Sequence, residues 1–106
     1  MQRLHQSSDI AEIFTQIKPQ YLDKFQVYCV ENNLSDHRIG VIIGKKHIPL
    51  AVDRNRLKRQ IRELCQRNLI TKNKKYDILI LIRTKISKQK KADFWHQLDN
   101  YINNLT

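Results

Sequence analysis

The chain has 106 residues, 41% of them hydrophobic and only two glycine, which is enough for one modest core and a single domain, 1–106. Its longest apolar runs are strand-sized and exclude a helical membrane span, which needs about 20 such residues. Lys and Arg number 20 against 10 Asp and Glu, and this net charge of +10 favours a polyanionic partner, nucleic acid ahead of an anionic membrane surface.

Nothing in Met1 to Gln6 resembles a signal peptide, so a cytoplasmic protein is expected. Ile10, Ile13, Phe14 and Ile17 recur at helical spacing, with Ser7 or Ser8 available as cap and Pro19 as stop, predicting a helix over 9–17. From Leu22 to Glu31 the pattern alternates, with Phe25, Val27 and Cys29 on one face and Lys24, Gln26, Tyr28 and Val30 on the other. This reads as a strand wet on one side, with room for a bend or split. Asn32 to Asp36 is a turn, and the β-branched run from Arg38 to Gly44 is a second strand, paired to the first as an antiparallel hairpin.

Pro49 suits the first turn of a second helix that runs to about Asn68. Tyr76 to Arg83 is so apolar that it should be the central strand, covered on both faces and bounded by basic loops at 71–75 and 85–91. A last helix over 92–105 places Trp95, Leu98, Ile102 and Leu105 on one stripe to cap the sheet. The expected order is α-β-β-α-β-α.

The second helix carries the chemistry. Arg54 to Glu63 holds five positive charges in ten residues, with Leu57, Ile61, Leu64 and Cys65 on an apolar stripe and Asn55, Lys58, Arg59 and Arg62 turned away from it. A helix charged only for solubility interleaves acids, whereas here six cations from Arg54 to Arg67 meet Glu63 alone. Arginine forks hold phosphate by paired hydrogen bonds. Arg54 projects close to the apolar stripe and is expected to support packing in part, and Glu63 to pair locally with Arg59 or Arg67. From Lys45 to Arg67 eight cations against Asp53 and Glu63 leave +6. Neutralising about that many phosphates predicts a log–log salt slope of roughly −4 to −5.

No carboxylate pair, Ser/His/Asp set or Cys/His pair has the spacing of an active site, and His5, His37, His47 and His96 are scattered. Cys29 and Cys65 read as buried, reduced thiols, and no metal is expected on the protein alone. A metal-free ribonuclease using converging histidines would cleave single-stranded RNA without magnesium or an RNA partner. A ribosomal or assembly-type RNA-binding protein is the main alternative. A major-groove DNA-binding helix ranks lower, for want of a zipper or dimerising segment.

Lys45-Lys46 followed by Arg54-Asn55-Arg56-x-Lys58-Arg59-x-x-Arg62-Glu63, with the Tyr76 to Arg83 strand downstream, resembles the signature of the protein subunit of bacterial ribonuclease P. Arg3-Leu4, the Phe14 helix, and Phe25 with Tyr28 follow in the family's order, so the similarity spans nearly the whole chain. The resemblance implies an α/β (α+β) sandwich, α-β-β-(β)-α-β-α, with an about four-stranded mixed sheet and a left-handed βαβ crossover, like a domain of a small-subunit ribosomal protein. It implies that Lys45, Lys46, Arg54, Asn55, Arg56, Lys58, Arg59 and Arg62 contact the catalytic RNA. It also implies that a cleft including Ile10, Phe14, Lys24, Gln26 and Tyr28 receives the single-stranded 5′ leader of precursor tRNA. Ile10 stands where the family usually has an aromatic, Ile17 where glycine is common and Gly44 where serine is. Cleavage is then expected from magnesium ions held by RNA subunit and substrate, with one protein monomer per RNA and no catalytic residue in the protein.

Overall fold

A computed structural model describes residues 2–4, 7–82, 84–85 and 91–105. The elements are β1 (Gln2–Arg3), α1 (Ser7–Gln16), β2 (Gln20–Tyr21), β3 (Phe25–Asn32), β4 (Arg38–Ile43), α2 (Ala51–Leu69), β5 (Lys75–Ile82) and α3 (Lys91–Asn103). The strands form one mixed sheet in the order β1-β4-β5-β3-β2, parallel at β1–β4 and β4–β5 and antiparallel at β5–β3 and β3–β2. The about four-stranded mixed sheet that the resemblance implies is therefore present, with the two-residue β1 added at one edge. Arg83 and the middle of the second basic loop, 86–90, lie outside the described residues, as do the side chains of Ser7 and Ser8.

β5 takes the central position because every residue from Tyr76 to Ile82 is buried. Tyr76, Ile78, Ile80 and Ile82 join Leu57, Ile61, Leu64 and Leu69 of α2 and Phe94, Leu98 and Ile102 of α3 in the main core. Leu79 and Leu81 face the other way, into a smaller cluster with Leu4, Tyr28 and Ile13 of α1. Helices thus cover both faces, and the continuous apolar run Ile78 to Ile82 is what such a position requires.

That placement overturns the expected hairpin. The turn after β3 exists, with the Leu34 amide donating to Asn32 Oδ1 at 3.0 Å. β3 and β4 nevertheless do not pair, because β5 lies between them, in register Cys29↔Ile78 on one side and Ile39↔Ile78 on the other. A strand buried on both faces needs a neighbour at each edge, and β3 and β4 supply them. The first strand, expected over Leu22 to Glu31, is β3 at Phe25–Asn32, and the short β2 at Gln20–Tyr21 precedes the expected bounds and pairs back onto it. In α3 the buried stripe begins at Phe94, 1% exposed and edge-on to Phe25 at 5.1 Å, while Trp95 is half-buried beside it.

β1 is held to β4 across Gly40. A Cβ built there would sit 2.7 Å from the Leu4 carbonyl oxygen and 3.0 Å from Leu79 Cδ1. Gly40→Ala should push β1 off the sheet edge and cost about 1–3 kcal/mol, read from the shift in urea midpoint.

His37 locks the ends of α2 and β5 together. Its Nδ1 accepts the Tyr76 amide at 3.0 Å and its Nε2 lies 3.2 Å from the Leu69 carbonyl, so the ring is neutral with its proton on Nε2. Burial lowers its pKa below the ordinary 6.5. The unfolded chain therefore takes up this proton at a higher pH than the folded one. Stability should be complete above about pH 7 and fall as the pH drops through the range near 6.5. Urea unfolding at successive pH values checks this, and His37→Gln should remove most of the decline.

Candidate nucleic-acid interface

α2 docks through Leu57, Ile61, Leu64, Cys65 and Leu69, all buried, and this fixes which flanks face solvent. One flank borders β1. Because β1 pairs with β4, Arg3 is brought beside the helix, and with Lys58, Arg59 and Arg62 it lines a cleft of about 550 Å³. Asn55, Gln66 and Glu63 complete the walls. Among the described residues, Glu63 forms no ion pair with Arg59 or Arg67, so that expected pairing is absent. Arg62 is half-buried and its Nε has no hydrogen-bond partner. Burial first, and the neighbouring Arg3 guanidinium second, lower its pKa, a measure of how poorly the cleft tolerates its own charge. Such a site is stabilised by an anion.

The other sequence-predicted cations divide. Lys45, Lys46, Arg56 and Arg59 are exposed, as is the neutral Asn55, with the two lysines in the turn between β4 and α2. Arg54 turns back, its Nη1 donating to the carbonyls of Ile48 and Pro49 at 2.8 Å each. It supports the entry to the helix, which starts at Ala51 after an N-cap Leu50 that makes no side-chain cap bond. Its position near the apolar stripe foreshadowed that role.

On the α1 side of the sheet, paired residues form a row Tyr21, Gln26, Leu81, Ile42, running from β2 to β4. Tyr21 is 70% and Ile42 39% exposed, while Gln26 is half-buried and its Oε1 lacks a partner. One row further on, Tyr28 and Leu79 lie beneath α1. Tyr28 is only 7% exposed, so the strand face expected to be wet is covered at this point by Ile13 and Leu4. Ile10 and Ile17 are partly buried at the same cluster, and Lys24 is half-buried at the start of β3. Phe14 is on α1, and its side chain lies outside the described residues.

Among the described residues no three His, Cys, Asp or Glu lie close enough to hold a metal ion. No helix of these residues is long and apolar enough to cross a membrane. Cys29 and Cys65 are free thiols, pushed by burial up to about 11 and about 12 respectively, so neither is a ready nucleophile.

The family model "Ribonuclease P" matches residues 1–106. The chain belongs to the ribonuclease P protein family. A ribonuclease P protein component from Thermotoga maritima is 32% identical over 105 residues, spanning 98% of this chain and 89% of the relative. The solved structure of the Thermotoga maritima ribonuclease P protein superposes with a TM-score of 0.77 at 29% identity, covering 100% of this chain and 99% of that one. The Staphylococcus aureus ribonuclease P protein gives 0.69 at 28% identity over 94% of this chain and 87% of its own.

A ribonuclease P protein is one component of a ribonucleoprotein of tRNA processing, and these relatives are bacterial. Within that family frame, sequence reasoning missed Arg3 as a member of the basic cleft, and Tyr21 and Ile42 as the exposed ends of the sheet row. The Arg3-Leu4 pair was a signal for the first. For the other two the signal is strand pairing, which periodicity does not contain.

Proposed function

We propose that this chain is the protein subunit of bacterial ribonuclease P, binding the catalytic RNA and the 5′ leader of precursor tRNA. The observation that carries the reading is the basic cleft between β1 and α2, where a half-buried arginine meets further cations and, among the described residues, Arg62 is in no ion pair. The exposed flank of α2 with Lys45 and Lys46 holds phosphates of the catalytic RNA, Arg62 and Arg3 from the cleft and Arg56, Lys58 and Arg59 from the helix surface. Arg54 shapes the turn leading into that surface.

The leader lies along the shelf beside α1. Tyr21 offers an aromatic face on which an unpaired base stacks without regard to its identity, and Ile42 and Ile10 supply apolar contact. Gln26 and Lys24 add polar and cationic contacts at the same edge. Tyr28 supports the shelf from beneath. Phosphodiester hydrolysis by water is assigned to magnesium ions held by the RNA subunit and substrate; the protein contributes binding, orientation and charge neutralisation. The protein then works in the cytoplasm, one copy per catalytic RNA.

The deciding experiment is cleavage of a 5′-labelled precursor tRNA at low magnesium by a bacterial ribonuclease P RNA, with and without this protein, each component alone serving as control. Accurate leader release that requires both components is the expected result. A mixture that stays inactive while the folded protein still binds RNA would assign it to ribosomal-type RNA binding instead.

A further inference from the structure

The opposite flank of α2, facing α3, carries a second cavity of about 390 Å³, of whose lining the phosphate-holding role of the helix uses Arg56 alone. Its walls are apolar, from Ile48 and Pro49 in the entry loop, Leu57 on α2 and Phe94 on α3. Among the described residues, the cations Arg56, Lys85 and Lys91 line the same cavity, with Asp53 as the one acidic group. His47 and Gln60 complete it. A cavity with greasy walls, a few hydrogen-bonding groups and cations beside it is unlike the cleft on the β1 side, whose named side chains are all polar or charged.

We propose that this cavity takes a single unpaired nucleotide of the RNA partner, its base between the apolar walls and its flanking phosphates on the cations. The assignment rests on the ribonuclease P reading above and extends it from phosphate contact to base contact. Size supports it, since the volume lies near the lower end of the range for small-molecule sites, about 300–1,000 Å³, and is too small for a helix or peptide strand. Charge supports it, because three cations against one carboxylate match a nucleotide and repel a cationic peptide. The walls match a base, which presents apolar faces and polar edges, with Gln60, His47 and Asp53 placed to meet those edges. Continuity supports it as well, for Arg56 belongs to the same exposed surface of α2 that faces the catalytic RNA.

A base contact and a phosphate contact differ in their response to salt, and that difference is the test. Gln60→Trp fills the cavity without removing a charge, and His47→Ala deletes a ring from its wall. Each variant should weaken binding to a bacterial ribonuclease P RNA by about 5- to 150-fold, the range for one stacked base, with the log–log salt slope unchanged. Unchanged affinity in both variants would overturn the inference, and so would a weakening accompanied by a lower slope, which reports lost phosphates. Failure of the unaltered protein to bind that RNA at all would instead overturn the ribonuclease P reading, so the two failures are told apart by the wild-type titration. Competition supplies an independent readout. Adenosine monophosphate should perturb the amide resonances of Ile48, Leu57 and Phe94, whereas ribose 5-phosphate at the same concentration should not, and identical perturbation by both would count against a base site.

Discussion

Replacing Lys58, Arg59 and Arg62 together by alanine should flatten the salt dependence of RNA binding, from a log–log slope near −5 to about −2. Each phosphate neutralised by Lys or Arg releases bound counterion, so the slope counts contacts at about 0.9 per phosphate. For the unaltered protein a slope near −5 means roughly a thousandfold loss of affinity between about 50 and 200 mM salt, and for the triple variant roughly 16-fold. The three side chains line one cleft, and none of them is in the described ion pairs, so their removal breaks no salt bridge of the fold. Arg3→Gln should lower the slope by about one, since Arg3 reaches the same cleft from β1. By contrast Arg54→Ala should leave the slope near its original value and instead lower stability, because its guanidinium is used on the Ile48 and Pro49 carbonyls. A triple variant with an undiminished slope would remove this flank of α2 from the RNA interface.

The largest effect on stability is expected at Asp77. This carboxylate is 5% exposed and sits on the central strand, where Arg38 of β4 donates to both its oxygens and Asn32 of β3 donates to Oδ1 at 2.8 Å. One side chain thus ties both neighbours to β5 at the same end of the sheet. Asp77→Ala leaves the Arg38 guanidinium half-buried without its counter-charge, which should cost about 3–5 kcal/mol. Domains of this size have about 5–15 kcal/mol in total, so the variant should lose about a fifth or more of its stability, with a urea midpoint lowered in the same proportion. Truncating Arg38 as well removes the charge that lost its Asp77 contacts, and the double variant Arg38→Met with Asp77→Leu should recover much of the loss. A double variant no better than Asp77→Ala would show that the tie acts through geometry and not through charge.

Much of this molecule was legible without coordinates because the relevant signals are local. Helical spacing of Leu57, Ile61, Leu64 and Cys65 determined which side of α2 is buried, and so left Asn55, Lys58, Arg59 and Arg62 to face outward. The apolar run from Ile78 to Ile82 determined a strand covered on both faces. The basic signature identified the family, and the family model and the superposed structures agree with it.

What periodicity does not contain is which strand lies beside which. The insertion of β5 between β3 and β4, the burial of Tyr28 under α1, and the alignment of Tyr21 with Ile42 across the sheet all depend on pairings between residues far apart in the chain. Arg3 joins the cleft only because β1 pairs with β4, across a glycine at position 40 that lets the two backbones approach. Arg54 shows the same division at the scale of one side chain. Its charge and its place near the stripe were evident from the sequence, but its use on two loop carbonyls was decided by where the chain before α2 turns. Local spacing sets which face of an element is apolar; only the global minimum of burial and hydrogen bonding selects the neighbour that covers it.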